Sequence, residues 1–182
     1  MDCVTIFYST DFDGKTSREL LMKTASIYSG VDEREFELVH LRGKKPYFSS
    51  HLNVHFSLSH SENVWMAAFA PCEVGIDVQF YSHNVKEERI ARRFFHPAEY
   101  ERYIKLGDFY EIWSRKEALC KLLGWGIDSR FAVFNTCPAE GEKNAPVSQM
   151  GIFIKEIPIN FSKKCACYIA YRGNFMYNIH KL

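Results

Sequence analysis

With 182 residues, 47% of them hydrophobic and 15% aromatic, the chain can bury a sizeable core and reads as one compact domain or two fused small halves. Its 23 Lys and Arg against 22 Asp and Glu leave a formal charge of +1, which excludes a global basic field for nucleic acid and makes any anion site local. No run approaches the ~20 apolar residues that span a bilayer, no leader segment opens the chain, and the six cysteines show no Cys-x-x-Cys spacing, so a reduced cytoplasmic monomer independent of membrane is expected.

Residues 4–8 predict a short strand, and residues 17–28 a helix, with Leu20, Leu21, Thr24, Ala25 and Tyr28 at helical spacing. Residues 36–40 read as extended, Gly43 to Pro46 as a turn, and 54–59 and 64–70 as strands joined by the polar turn Ser61-Glu62-Asn63. Another strand is expected over 74–80. Helices follow over 85–95, 97–106 and 108–123, the last stopped by Gly124-Trp125-Gly126. A surface loop is expected between Cys137 and Gly151. The strands 152–157, 165–171 and 174–179 close the chain, the last two joined by a tight hairpin at Arg172-Gly173. Cys165 and Cys167 alternate with apolar residues and read as structural thiols of a sheet. A helix plus an antiparallel meander thus occurs twice, which favours α+β over a wound parallel sheet. The seam is expected near 72–81, with one half over 1–75 and the other over 76–182.

Three segments carry chemistry. In Val74-Gly75-Ile76-Asp77-Val78-Gln79, strand alternation puts Asp77 and Gln79 on one face, two oxygens suited to a hard cation, although a strand end with a turn-forming Asp would read the same. In Trp113-Ser114-Arg115-Lys116-Glu117-Ala118-Leu119-Cys120-Lys121, helical spacing aligns Trp113, Glu117 and Lys121, either a metal and phosphate site or a solvated ion pair beside a core Trp. The run Phe56-Ser57-Leu58-Ser59-His60-Ser61 ends in donors for an anion. Without a Gly-x-Ser-x-Gly elbow it does not read as a hydrolase triad, and neither a P-loop nor a Gly-x-Gly-x-x-Gly fingerprint occurs.

In this order and spacing, the three segments resemble the signature of the 4′-phosphopantetheinyl transferase superfamily, surfactin-synthetase-activating type. Ser17-Arg18-Glu19-Leu20-Leu21, Gly43-Lys44-Lys45-Pro46 and Phe94-Phe95-His96-Pro97-Ala98-Glu99 are similar to further segments of that family, so the likeness runs from about Ser17 to about Trp125. The resemblance implies a pseudo-symmetric pair of α+β halves with coenzyme A in the cleft between them. It implies transfer of phosphopantetheine to a serine of an acyl or peptidyl carrier protein. By the same likeness, Asp77 and Glu117 would hold Mg²⁺, and Ser59 with His60 would contact phosphate. Arg18 and Lys45 would grip the adenosine end and its 3′-phosphate. Lys116 and Lys121 would neutralise pyrophosphate, Lys121 would assist the departing 3′,5′-ADP, and Glu117 would be the base. Where the family usually has Glu, this chain has Gln79, a ligand expected to bind Mg²⁺ weakly or through water, so that Mn²⁺, which tolerates an amide oxygen, is the alternative ion.

Two other readings compete. One is a non-catalytic coenzyme A or carrier-protein binding module of the same fold, its metal site weakened at Gln79. The other is an unrelated Mg²⁺-dependent nucleotide hydrolase, which would leave the Ser59-His60 and Lys45-Pro46 segments without a role.

Overall fold

The computed structural model describes residues 2–49, 52–82, 85–138, 147 and 151–182. Most of the loop expected between Cys137 and Gly151 lies outside the described residues. Strand β1 (Asp2–Ser9) leads into helix α1 (Ser17–Ser29), the short strands β2 (Leu38–Val39) and β3 (Tyr47–Phe48), then β4 (His55–Ser61), β5 (Val64–Ala70) and β6 (Val74–Phe80). Helices α2 (Glu87–Phe94), α3 (Pro97–Leu106) and α4 (Phe109–Leu123) follow, and β7 (Ile152–Glu156), β8 (Cys165–Arg172) and β9 (Phe175–Lys181) complete an α+β architecture. Gly30, Gly107 and Gly124 each end a helix in the left-handed conformation that costs glycine little. Among the described residues, no helix is long and apolar enough to cross a membrane.

The strands form a four-stranded sheet in the order β4-β5-β1-β9, a three-stranded antiparallel sheet in the order β6-β8-β7, and the small β2-β3 pair. Every residue of β5, Val-Trp-Met-Ala-Ala-Phe-Ala, is buried, as a central strand covered on both faces requires. One face of its sheet meets Leu21 and Ala25 of α1 together with Phe36 and Phe48. The other face, through Val4, Ile6, Met66 and Ala68, shares a core with Ile76, Val78 and Ile169 of the second sheet. Helix α4 covers that sheet's far side, setting Ile112, Ala118, Leu119 and Leu122 on Ile152, Ile154 and Ala170.

The tight hairpin expected at Arg172-Gly173 is not formed. Gly173, at φ 74°, turns the chain out of one sheet and into the other. There β9 pairs in parallel with β1, from Asp2 opposite Phe175 to Tyr8 opposite Lys181. The pairing covers a β1 edge that would otherwise expose unpaired backbone groups. The apolar alternation of 174–179 identified a strand but carried no information about its partner. The last strand therefore crosses the seam expected near 72–81.

Candidate active site

The seam between the sheets is built from serines. Ser57, Ser59 and Ser61 alternate along β4, and their hydroxyls accept the backbone N–H groups of Ile76, Val78 and Phe80 in β6, each at 3.1 Å. The donors along this edge of β6 are thus satisfied by side chains instead of a further strand. On its other side β6 meets α4 at Gly75, where a Cβ would stand 1.9 Å from the Ala118 carbonyl oxygen and 2.5 Å from the Leu122 nitrogen. Only glycine permits that approach. Ser114 ties the helix down further, donating to the Asp77 carbonyl oxygen at 3.3 Å.

Close packing brings the functional groups together. Asp77 Oδ1 accepts the Ser59 hydroxyl at 2.9 Å and the Lys121 ammonium at 2.7 Å, and Lys121 also donates to Ser59 Oγ at 3.0 Å. Asp77 is buried, and its Oδ2 has no hydrogen-bond partner. Burial, then the charge of Asp77, pushes the Glu117 carboxyl up to about 7, with Lys121 opposing. A buried carboxylate oxygen without a partner beside a second carboxyl short of positive charge fits a hard divalent cation. Asp77 and Glu117 would hold it, with the Gln79 oxygen as a weak addition. Among the described residues no group of three His, Cys, Asp or Glu is placed as a metal site. The Gln79 amide nitrogen donates to the Phe80 carbonyl at 3.1 Å.

Other expected residues stand elsewhere. Ser59 and His60, expected together on phosphate, are separated by strand alternation: Ser59 is buried in the cluster, whereas His60 is exposed and packs on Phe12, ring centroids 5.5 Å apart. Trp65, opposite His60 in register, donates to Ser17 Oγ at 3.0 Å, which sets the start of α1 and the exposed Arg18 over this far face. The expectation that Lys116 neutralises pyrophosphate needs correction. Lys116 is 1% exposed and donates to Glu99 Oε2 at 2.6 Å and to the Phe134 carbonyl at 2.8 Å. One residue along an α-helix turns a side chain by about 100°, so Lys116 faces α3 while Glu117 faces the sheet.

Glu99, buried completely, also accepts the His96 N–H at 2.9 Å and both the N–H and hydroxyl of Thr136 at 2.6 Å. This network went unread in the sequence, where Glu99 stood only as the last residue of the Phe94–Glu99 segment; in the structure it also closes the capping box of α3.

Two adjoining cavities, of ≈ 790 Å³ and ≈ 350 Å³, share Lys44, Lys45, Pro46, Phe56 and Gly124, and the smaller is lined by Lys121. They form a cleft from Lys121 of the charged cluster past the Gly43–Pro46 turn, each cavity with a capacity in the range of ligand sites. At its far end Lys45 donates to Glu73 Oε2 at 2.6 Å and to the Val74 carbonyl at 2.8 Å, and His55 Nδ1 lies 2.9 Å from Glu73 Oε1. Glu73 was not singled out by sequence, since nothing local distinguishes it from an ordinary charged residue before a strand.

Residues 73–163, half of the chain, match the family model of the 4′-phosphopantetheinyl transferase superfamily. Among curated proteins, the chain is 29% identical over 132 residues to a 4′-phosphopantetheinyl transferase of Bacillus subtilis, covering 69% of this chain and 58% of that protein. It is 31% identical over 120 residues to the 4′-phosphopantetheinyl transferase HetI of a Nostoc species, covering 60% and 51%. Against the 4′-phosphopantetheinyl transferase gsp of Aneurinibacillus migulanus it is 32% identical over 89 residues, 46% and 36% of the two chains. The matches thus span little more than half of the Bacillus subtilis relative and less of the others.

Proposed function

The chain belongs to the 4′-phosphopantetheinyl transferase superfamily, and on that premise we propose that it transfers the 4′-phosphopantetheine group of coenzyme A to a serine of an apo acyl or peptidyl carrier protein. The observation that carries the reading is the Asp77, Ser59, Lys121 and Glu117 cluster, which reaches through Lys121 a cleft large enough for a nucleotide-bearing ligand. The pyrophosphate lies at the cluster, and the adenosine end extends toward Lys45. Asp77 and Glu117 would hold Mg²⁺ or Mn²⁺, which when bound would supply charge neutralisation for the pyrophosphate.

The serine hydroxyl attacks the phosphorus bearing pantetheine, a P–O bond to that phosphorus forms, and the bond to the bridging oxygen breaks. Glu117, next to Asp77 and Lys121, is the base that takes the serine proton. Lys121, hydrogen-bonded to Asp77 at 2.7 Å, is placed to stabilise the negative charge on the departing 3′,5′-ADP oxygen. Positioning and charge account for the rest, because phosphoryl transfer asks for little covalent chemistry from the protein.

The test is to incubate the protein with coenzyme A, Mg²⁺ and apo carrier proteins of fatty acid, polyketide and nonribosomal peptide synthesis, then weigh the carriers. A mass gain equal to phosphopantetheine is the expected result. Coenzyme A binding without transfer would mark a binding module, and nucleotide release without a carrier would mark a hydrolase.

A further inference from the structure

The far end of the cleft holds a charge arrangement that works against one part of coenzyme A. Lys45 is the partly buried cation there, its side chain 18% exposed. Its charge is already matched: Glu73 accepts from it at 2.6 Å through Oε2 and meets His55 at 2.9 Å through Oε1. Lys45, Glu73 and His55 all line the ≈ 790 Å³ cavity. Lys44 lines it too, but is exposed, so solvent and salt screen its charge. Burial holds Lys45 below its ordinary pKa and the Glu73 carboxylate opposes that fall, so the cation depends on this partner. Burial acts on Glu73 as well, yet Lys45 and His55 together hold it below the usual carboxylate range.

From this geometry we propose that Glu73 is a specificity-determining residue that makes the nucleotide end of the cleft nearly indifferent to a 3′-phosphate. A phosphate monoester carries close to two negative charges at neutral pH, and on reaching Lys45 it meets a carboxylate already seated on that ammonium. Binding the phosphate means displacing Glu73 or tolerating like charges at contact distance. A free 3′-hydroxyl meets no such cost, since it donates to Glu73 and accepts from Lys45. The inference rests on the proposed orientation of coenzyme A, and it implies that the 3′-dephospho form serves as donor about as well.

The test separates this assignment from the transferase reading. Adenosine 3′,5′-bisphosphate and adenosine 5′-phosphate are titrated calorimetrically into the wild type, Glu73→Gln and Lys45→Met, without carrier protein. The two nucleotides are expected to bind the wild type with similar affinity. Removing one charge beside a partly exposed phosphate is expected to shift the ratio toward the bisphosphate by about tenfold in Glu73→Gln. Lys45→Met is expected to cancel the preference when combined with Glu73→Gln. Glu73 is half-exposed, and Glu73→Ala, checked by thermal melting, repeats the test should the glutamine variant misfold. An unchanged ratio in both Glu73 variants, a strong wild-type preference for the bisphosphate, or binding of neither nucleotide would overturn the proposal. Transfer from coenzyme A and from its 3′-dephospho form is measured alongside: absence of transfer with the expected binding ratios refutes the transferase reading and leaves the role of Glu73 standing.

Discussion

At Glu117, burial and the neighbouring Asp77 carboxylate act together against ionisation, and Lys121 offsets only part of their effect, so the carboxyl titrates at about 7 instead of its ordinary 4.5. A folded-state pKa above the unfolded one means a penalty that is absent below pH 4.5, grows as the pH rises to about 7, and stays constant beyond. Metal-free Glu117→Gln is therefore expected to match the wild type in denaturant melts at pH 4. At pH 8 it should be more stable by up to about 3 kcal/mol, while losing transfer. Equal stability at both pH values would show that Glu117 does not face the buried carboxylate. Gln79 makes the complementary case. Gln79→Glu adds a charged oxygen on the strand face shared with Asp77, so half-maximal transfer should require severalfold less Mg²⁺. Titrating Mg²⁺ at saturating coenzyme A checks this, and an unchanged midpoint would mean that Asp77 and Glu117 hold the ion without help.

The meeting of β6 and α4 is what gives those carboxylates their environment, and it depends on Gly75. A methyl group there would collide with backbone atoms of Ala118 and Leu122, so the helix, not a side chain, has to move. Gly75→Ala is expected to cost about 3 kcal/mol. It should also lower the Glu117 pKa toward its ordinary value as Asp77 and the helix separate, measurable as an acid shift in the pH dependence of transfer. Much of this element pairing was legible beforehand. Strand periodicity placed 74–80 and put Asp77 beside Gln79, and helical spacing aligned Glu117 with Lys121, because both patterns are local. The serine ladder was half legible: Ser57, Ser59 and Ser61 visibly alternate, but that β6 N–H groups would be their partners depends on two edges meeting in space. Lys116 misled for the same reason. The family resemblance gave it a place on pyrophosphate, whereas the direction of its side chain sends it to Glu99 on α3.

At the scale of the whole molecule, the partner of β9 was out of reach of sequence periodicity, since a strand's alternation marks the faces it presents and not the edge it joins. That pairing has a thermodynamic consequence. The first sheet contains both ends of the chain, the inner core mixes residues of both sheets, and Phe175 of β9 is 1% exposed against Tyr171 of β8, ring centroids 5.2 Å apart. Two halves joined only by a linker would unfold separately, whereas sheets that share a core and a crossing strand should unfold together. Trp65 is buried in the first sheet and Trp113 stacks on Phe109 beside the second, so each reports on one side of the molecule. Phe175→Ala removes a core ring and is expected to destabilise the protein by about 3–5 kcal/mol. With Trp125→Phe combined with Trp113→Phe or with Trp65→Phe to isolate each reporter, both should show the same denaturation midpoint before and after the substitution, shifted by the same amount. A shift confined to the Trp65 reporter would mean that the sheets fold as independent halves and that β9 serves only the one it pairs with.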